Sequence, residues 1–473
     1  MARRLGARGR RGLPRPADRP PDRGVMPPFP LSDANPPEHT GPLPAETDVV
    51  VIGGGVIGVT TALFLARAGV PVLLLEKGRV AAEQSSRNWG WIRVQGRDLA
   101  EIPIAQEAQE LWQGLAPELD TDIGLTQGGI AYLAKDAGEM AKHEAWRAAA
   151  APFGVSTQLL DAQATARLIP QAARGWAGAL WTPTDLRAEP FVAVPALARL
   201  AAKSGAMIRE GQAVRGLDIA AGRVVGVIAE GGRVRARAVV LAGGAWSSLL
   251  LRRHGVSLPQ LSVRATVVRT TPGEEVFAGG AVDPLLAFRR RADGGYSLAP
   301  EGRHDFYIGP DAFRALPKYL AGLVQDPFGT ALRPAAPKHF PDAWTTPRRW
   351  ADDAVSPFER MRVLNPAPNR TFARRILRDF NATFPGLGGV GEAQSWAGMI
   401  DVLPDAVPVV DAVAALPGLT LATGMSGHGF GIGPAFGRIV ADLFQGRPAG
   451  HDLTRFRLGR FSDGTGLAIG PGL

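Results

Sequence analysis

The apolar pattern of the chain changes period at three similar places. Val49-Val50-Val51-Ile52 is an unbroken β-branched run, as expected of a strand buried on both faces. Glycines follow at 53, 55 and 58, apolar residues then recur with helical spacing, and Val70 to Leu75 forms a second apolar run closed by Glu76. Residues 234–251, VRARAVVLAGGAWSSLLL, repeat the sequence of strand, Gly243-Gly244 turn and helix. Residues 419–424, LTLATG, form a strand that feeds the loop SGHGFGIGP and a helix from about Ala435 to Phe444.

Between these segments the pattern is different. Residues 101–115 have helical periodicity, 121–185 mix short strands with a helix around Lys135–Ala151, and 188–204 form a helix stopped by Gly205. Two alternating strands follow at 213–217 and 224–229. Residues 263–310 read as an antiparallel sheet with a hairpin turn at Asp293-Gly294-Gly295, and 311–385 are helical and broken by prolines.

The first segment carries chemistry. Gly53, Gly55 and Gly58 have the G-x-G-x-x-G spacing, directly after a strand and at the start of a helix, with an acid closing the next strand. The glycines allow the turn, the approach of a pyrophosphate and close helix packing, while Glu76 is placed to accept hydrogen bonds from a ribose diol. The helix start offers unpaired N–H groups and a positive dipole end to phosphate. A membrane span over 49–65 is excluded by the glycine turn and by a length short of about 20 residues.

These patterns predict an α/β chain (α+β overall): a Rossmann-like dinucleotide domain from 46–115, 188–262 and 388–446, interleaved with an antiparallel-sheet substrate domain from 116–187 and 263–387. Residues 1–45 read as a disordered, basic, proline-rich tail, and 447–473 as a loose C-terminal tail.

Composition narrows the chemistry. The 473 residues include no cysteine, which removes disulfides, thiolate metal sites, a cysteine nucleophile and a flavin attached through sulfur. It fits a reducing compartment, hence a cytoplasmic protein, peripheral to a membrane if it is a dehydrogenase. The net charge of +9 is mostly a tail property, since residues 1–25 hold eight arginines and two aspartates. With no interleaving of basic and aromatic residues, this argues against a nucleic-acid partner. No metal-ligand spacing is present.

Four motifs in order give the chain a family resemblance: the glycine turn with Glu76, EQSSRNWGWIR at 83–93, LAGGAW at 241–246, and WAGMIDVLPDAVPVV with ATGMSGHGFGIGP at 396–410 and 422–434. Over roughly residues 46–446 it resembles the FAD-dependent amino-acid and amine oxidoreductases, the superfamily of D-amino-acid oxidase, glycine oxidase, sarcosine oxidase and D-amino-acid dehydrogenase. The resemblance implies that FAD is held by Gly53, Gly55, Val56, Ile57 and Gly58, by Glu76 and Lys77, by Ser85, Ser86, Arg87 and Asn88, and by Val214. It also implies Ala242, Gly243, Trp246 and Gly398, and the loop Gly427, His428, Gly429, Phe430 and Gly431. Gly398 stands where the sarcosine-oxidase branch has its flavin-linking cysteine, so FAD is expected to be non-covalent. Gly431 replaces that branch's lysine, and Met399, Ile400 and Asp401 replace the arginine of the glycine-oxidase branch.

A carboxylate substrate calls for an arginine fork. Arg93 ends the second motif, where its position resembles a carboxylate-holding arginine; pairing with phosphate is the competing role. Arg289 and Arg291 share one strand face and Arg290 takes the other, so Arg289 is a further candidate beside a solvated-strand reading. His428 is read either as a group in proton exchange near neutrality or as a structural histidine. Trp89 and Trp91 are read as walls of an apolar pocket or as core filler.

The implied reaction is hydride transfer from an amino acid or amine to flavin N5, with the imine hydrolysing afterwards. Electrons then pass to O2 or to a quinone or protein acceptor. The alternatives are oxidation of a 2-hydroxy acid or polyol phosphate, with His428 as base, and a nucleic-acid-associated flavoprotein.

Overall fold

The structure, a computed structural model, describes residues 29–300, 302–325 and 330–468. Two large sheets organise it. The first is centred on five parallel strands in the order Leu419–Thr423, Gly232–Leu241, Glu46–Ile52, Val72–Leu75 and Met207–Arg209. The hairpin Val214–Ala220 and Arg223–Ala229 extends it by pairing with the first half of Gly232–Leu241. Val49, Val50 and Val51 are fully buried, because helices cover one face of the sheet and a second apolar cluster with Ser247–Arg253 covers the other.

Helix Val56–Arg67 packs against helix Gly429–Phe444. The second of these begins six residues before the expected start at Ala435, so the glycine-rich loop is largely its first turns. A side chain at Gly433 would come within 2.6 Å of Val56 Cγ2, and one at Gly437 would collide with Thr60. The Thr60 hydroxyl donates to the Gly433 carbonyl at 3.0 Å. These two glycines therefore serve helix-to-helix contact.

The second sheet has ten strands, from Thr330–Arg333 through Leu261–Thr270 to Gln158–Asp161. It is not wholly antiparallel: Gly280–Val282 pairs in parallel with Ile130–Ala134, and His304–Tyr307 with Thr330–Arg333. Strand Glu392–Val402 lies along Leu261–Thr270 from Leu261↔Val402 to Thr270↔Glu392. It thus belongs to this sheet, and the expected boundary at 388 is too early.

Both tails need correction where they are described. Residues 29–45 are docked: the Phe29 and Trp396 rings lie 5.3 Å apart, and the Arg87 guanidinium stacks 4.5 Å from Phe29. The Glu210 carboxylate accepts from the backbone N–H groups of Glu38 and His39 at 2.6 and 2.9 Å. Residues 1–28 lie outside the described residues. After 447, Phe456 is fully buried with its ring 5.4 Å from Phe436, and Arg460 grips the buried Asp405 at 2.8 and 3.1 Å. Isolated aromatics in polar sequence anchor both segments, which composition alone does not reveal.

Candidate functional site

One long cleft runs along the carboxyl ends of the parallel strands. It is lined there by Ile52, Gly53, Leu75, Glu76, Leu241, Ala242 and Thr423, the edge at which open α/β sheets bind ligands. Gly53 adopts φ +110°, and a side chain there would lie 2.5 Å from the Ala242 carbonyl oxygen. At Gly58 a side chain would collide with the Gly53 carbonyl, so Gly58 tightens the turn from behind and does not face the cleft.

Glu76 accepts from the Gly54 and Gly78 amides, both at 2.7 Å, and burial pushes its carboxyl above the ordinary value. The Val56 amide at the helix start donates to Ser85 Oγ at 2.9 Å. Lys77 donates to Glu83 at 2.6 Å and to the carbonyls of Met361 and Arg362, and its ammonium lies 4.5 Å from the Trp246 ring. Asn88 holds its own turn by donating to the Ser85 carbonyl at 2.9 Å. Along the cleft wall lie Gly55, Ile57, Val214, Gly243 and Trp246, with Gly398, Gly427, Gly429 and Phe430 at the far end.

Besides Gly58, four expected site residues are placed differently. Arg87 touches the cleft, but its guanidinium serves the protein, donating to Ala82 O at 2.8 Å, Asn365 Oδ1 at 2.7 Å and Ala397 O at 3.0 Å. Burial pushes it down to about 10. Ser86 is buried behind the turn and Gly431 packs against the Trp91 carbonyl, and neither lines the cleft. Arg289 is buried away from it, forked onto Glu189 at 2.9 and 3.0 Å. Burial alone would raise Glu189, but Arg289 and Arg291 outweigh it and hold the carboxyl at about 2. The alternation of Arg289 and Arg291 on one face is observed, and that face meets a carboxylate of the fold.

At the far end a polar cluster is buried. Arg93 is 7% exposed, and among the described residues it forms no ion pair. Its guanidinium donates to the Gln95 carbonyl and lies 5.6 Å from the Tyr132 ring, and its own carbonyl accepts from Arg97 Nε at 3.2 Å. Asp185 sets this segment by accepting from the Val94 amide at 2.7 Å and from Gln109 at 2.8 Å; burial pushes its carboxyl up to about 6.

Arg97 also faces the cleft, 3.8 Å from Glu101, and burial together with Arg93 pushes it down to about 9. Burial would raise Glu101, but His428, Arg97 and Arg93 hold it below the usual carboxylate value. His428 Nδ1 faces Glu101 Oε2 at 3.2 Å. Burial and then Arg97 push His428 down to about 4. His428 is therefore neutral near pH 7, and the expectation of proton exchange near neutrality is corrected. An ionised Glu101 makes Nδ1 the protonated nitrogen and leaves Nε2 an acceptor.

Arg97, Glu101, Tyr132 and His304 escape a motif reading. Arg97 and Glu101 follow the second motif within eight residues and pair across the turns that precede helix Ile102–Leu115, a spacing present in the sequence. His304 reaches the cleft through sheet register: it borders Ala265, which in turn faces Gly398.

Comparison with known proteins gives a consistent picture. A family model described as FAD dependent oxidoreductase matches residues 48–443. Glycine oxidase of Geobacillus kaustophilus is 28% identical over 427 residues, covering 87% of this chain and 97% of that protein. A D-amino acid dehydrogenase of Methylobacterium sp. is 27% identical over 457 residues, covering 84% and 95%. The structure of L-amino acid deaminase from Proteus myxofaciens in complex with anthranilate superposes with a TM-score of 0.86 at 29% identity, covering 93% of this chain and 98% of that one.

Proposed function

The chain belongs to the family of FAD-dependent oxidoreductases, and from that premise we propose that it oxidises the C–N bond of an amino acid or a related amine. The observation that carries the reading is Arg93, a buried guanidinium in the cleft with no ion pair among the described residues. Its charge acts on Asp185 and Glu101 without touching either, and a substrate carboxylate would supply a direct partner in fork geometry.

The cleft fits the cofactor. Gly53 and Gly55 leave space that side chains would fill, the helix starting at Val56 turns its positive dipole end toward the pyrophosphate, and Glu76 keeps acceptor capacity for a ribose diol. Ser85, Asn88, Val214, Ala242, Gly243 and Trp246 would line the dinucleotide, with Gly398 and Gly427–Phe430 beside the ring. With glycine at 398 and no cysteine in the chain, we take the attachment to be non-covalent. Bound FAD supplies the acceptor for the hydride from the carbon bearing nitrogen.

The protein holds and orients. Arg93 fixes the carboxylate, Asp185 and Gln95 fix Arg93, and Trp89, Trp91 and Tyr132 keep water from the reacting carbon. His428, at about 4, is too weak a base to keep a proton taken from an ammonium. On this reading the amine arrives neutral, and the unpartnered His428 Nε2 is an acceptor available to it. The same weakness disfavours 2-hydroxy-acid oxidation, in which a base must take the hydroxyl proton. Electrons leave to O2 or to a quinone or protein carrier. Among the described residues no helix is long and apolar enough to cross a membrane, and we infer a cytoplasmic setting from the lack of cysteine.

The test is an anaerobic titration of the purified yellow protein with amino acids and with the matching 2-hydroxy acids. Flavin bleaching by amino acids, with release of ammonia after hydrolysis, is expected. Bleaching by hydroxy acids alone would overturn the reading.

A further inference from the structure

The cleft also carries a statement about the side chain of the substrate, resting on the reading of Arg93 above. Trp91 and Arg93 flank Ile92 at the short strand Trp91–Ile92. Ile92 turns into the first apolar core, while Trp91 and Arg93 both face the cleft. Residues i and i+2 of an extended segment lie about 6–7 Å apart on one face. An anion-binding group and an apolar wall are therefore presented together, at the spacing of an amino-acid carboxylate from its own side chain.

The wall continues beyond Trp91. Trp89 meets Trp91 edge to face, with ring centroids 4.9 Å apart. Above them the second sheet contributes one row of residues across four strands: Tyr132 opposite Val282, Val282 opposite Ala287, and Ala287 opposite Ala299. Trp91 packs into this row, and Trp89, Tyr132 and Val282 line the cleft with it.

The other cations of the cleft each have a partner within the protein, Arg97 the loosest at 3.8 Å from Glu101. Lys77 pairs with Glu83, Arg79 with Glu210 and Arg97 with Glu101, and Arg87 is spent on carbonyl and amide oxygens. His304, at the edge of the same roof, is neutral near pH 7 because burial holds it at about 4.

We propose that the substrate is an amino acid with one carboxylate and a bulky apolar, preferably aromatic, side chain, its carboxylate on Arg93 and its side chain against Trp89, Trp91, Tyr132 and Val282. Burying a large apolar side chain favours it over a small one by about 10- to 150-fold.

The experiment is anaerobic flavin reduction of the holoenzyme by both enantiomers of phenylalanine, leucine, alanine and glutamate, together with equilibrium binding of benzoate and acetate read from the flavin spectrum. Phenylalanine and leucine should surpass alanine and glutamate by at least about tenfold in kcat/KM for the reactive enantiomer, and benzoate should bind more tightly than acetate by a similar factor. Trp89→Ala and the milder Trp89→Leu, at a half-buried site, should weaken benzoate and leave acetate unchanged. Alanine or glutamate matching phenylalanine, or Trp89→Ala weakening benzoate and acetate alike, would overturn the proposal and leave amino-acid oxidation standing. Failure of every amino acid to bleach the flavin would instead strike the reading on which the proposal rests.

Discussion

His428 Nδ1 lies 3.2 Å from Glu101 Oε2, and both side chains are buried, on elements 327 residues apart. The contact joins the segment after the tryptophan-rich motif to the start of the C-terminal helix, the two pieces that meet at the far end of the cleft. Glu101 also holds Arg97. Glu101→Ala should therefore cost about 3 kcal/mol or more in denaturant unfolding, because it strands a buried guanidinium. Adding Arg97→Met should recover part of that loss. Strictly additive losses would show that the two side chains do not interact.

Acid should destabilise the protein before carboxylates are titrated. His254, His304 and His428 are each pushed down to about 4, mainly by burial. His254 Nε2 accepts from the Leu217 amide at 3.0 Å, which requires the neutral ring. A group whose folded value is lowered contributes stability above its unfolded value, about 6.5 for histidine, and loses it as pH falls toward the folded value. Tm should fall between about pH 6.5 and 4, and His254→Gln should flatten the fall. Asp185, raised to about 6, works in the opposite sense: its contribution is full below about pH 3.9 and is lost as pH rises through 6. Asp185→Asn should thus reduce the loss of stability above pH 6. Melting curves across this range check both signs.

Phe29→Ala should lower stability by about 3 kcal/mol, in the range for truncating a buried phenylalanine. The ring lies between Trp396 and the Arg87 guanidinium, and Arg87 in turn ties Asn365 and Ala397. Flavin occupancy should fall with it, because Arg87 stands behind Gly398. A Tm unchanged from wild type would mean that residues 29–45 dock without supporting the body.

The strand-end part of this cleft was legible in the sequence because its geometry is local. Gly53, Gly55, Gly58 and Glu76 are fixed by the covalent geometry of one turn and the two strands it joins. The place of Arg93 in the cleft followed from the motif it closes. Arg289 misled because a strand pattern shows which residues share a face, but not that Glu189, 100 residues away, waits on that face. Gly431 misled for a similar reason: glycine serves a ligand and a close approach of two backbones equally well, and only the packing of the helix on Trp91–Ile92 decides between them. His304 needed the register of His304–Tyr307 against Leu261–Thr270, which no local spacing encodes. The docking of Phe29 and Phe456 depended on single aromatic anchors.

FAD should be released by acid or heat, since glycine occupies position 398 and the chain has no cysteine. Flavin remaining in the acid-precipitated pellet would contradict this. Glu76→Ala removes the acceptor for the Gly54 and Gly78 amides as well as the proposed ribose partner. FAD affinity should fall by at least about tenfold, the equivalent of one charged hydrogen bond at 1.5–3 kcal/mol, as measured by fluorescence titration of the apoprotein. Unchanged affinity would remove Glu76 from the site.

The central claim is that Arg93 holds the substrate carboxylate in a FAD-dependent amine oxidation. The most direct measurement is anaerobic flavin reduction in wild type and Arg93→Ala, using an amino acid and the corresponding amine that lacks the carboxylate. A charged hydrogen bond contributes about 1.5–3 kcal/mol, so the variant should lose about 10- to 150-fold in kcat/KM for the amino acid. The amine should change far less, with FAD still bound. Equal loss for both compounds, or no loss for the amino acid, would contradict the account.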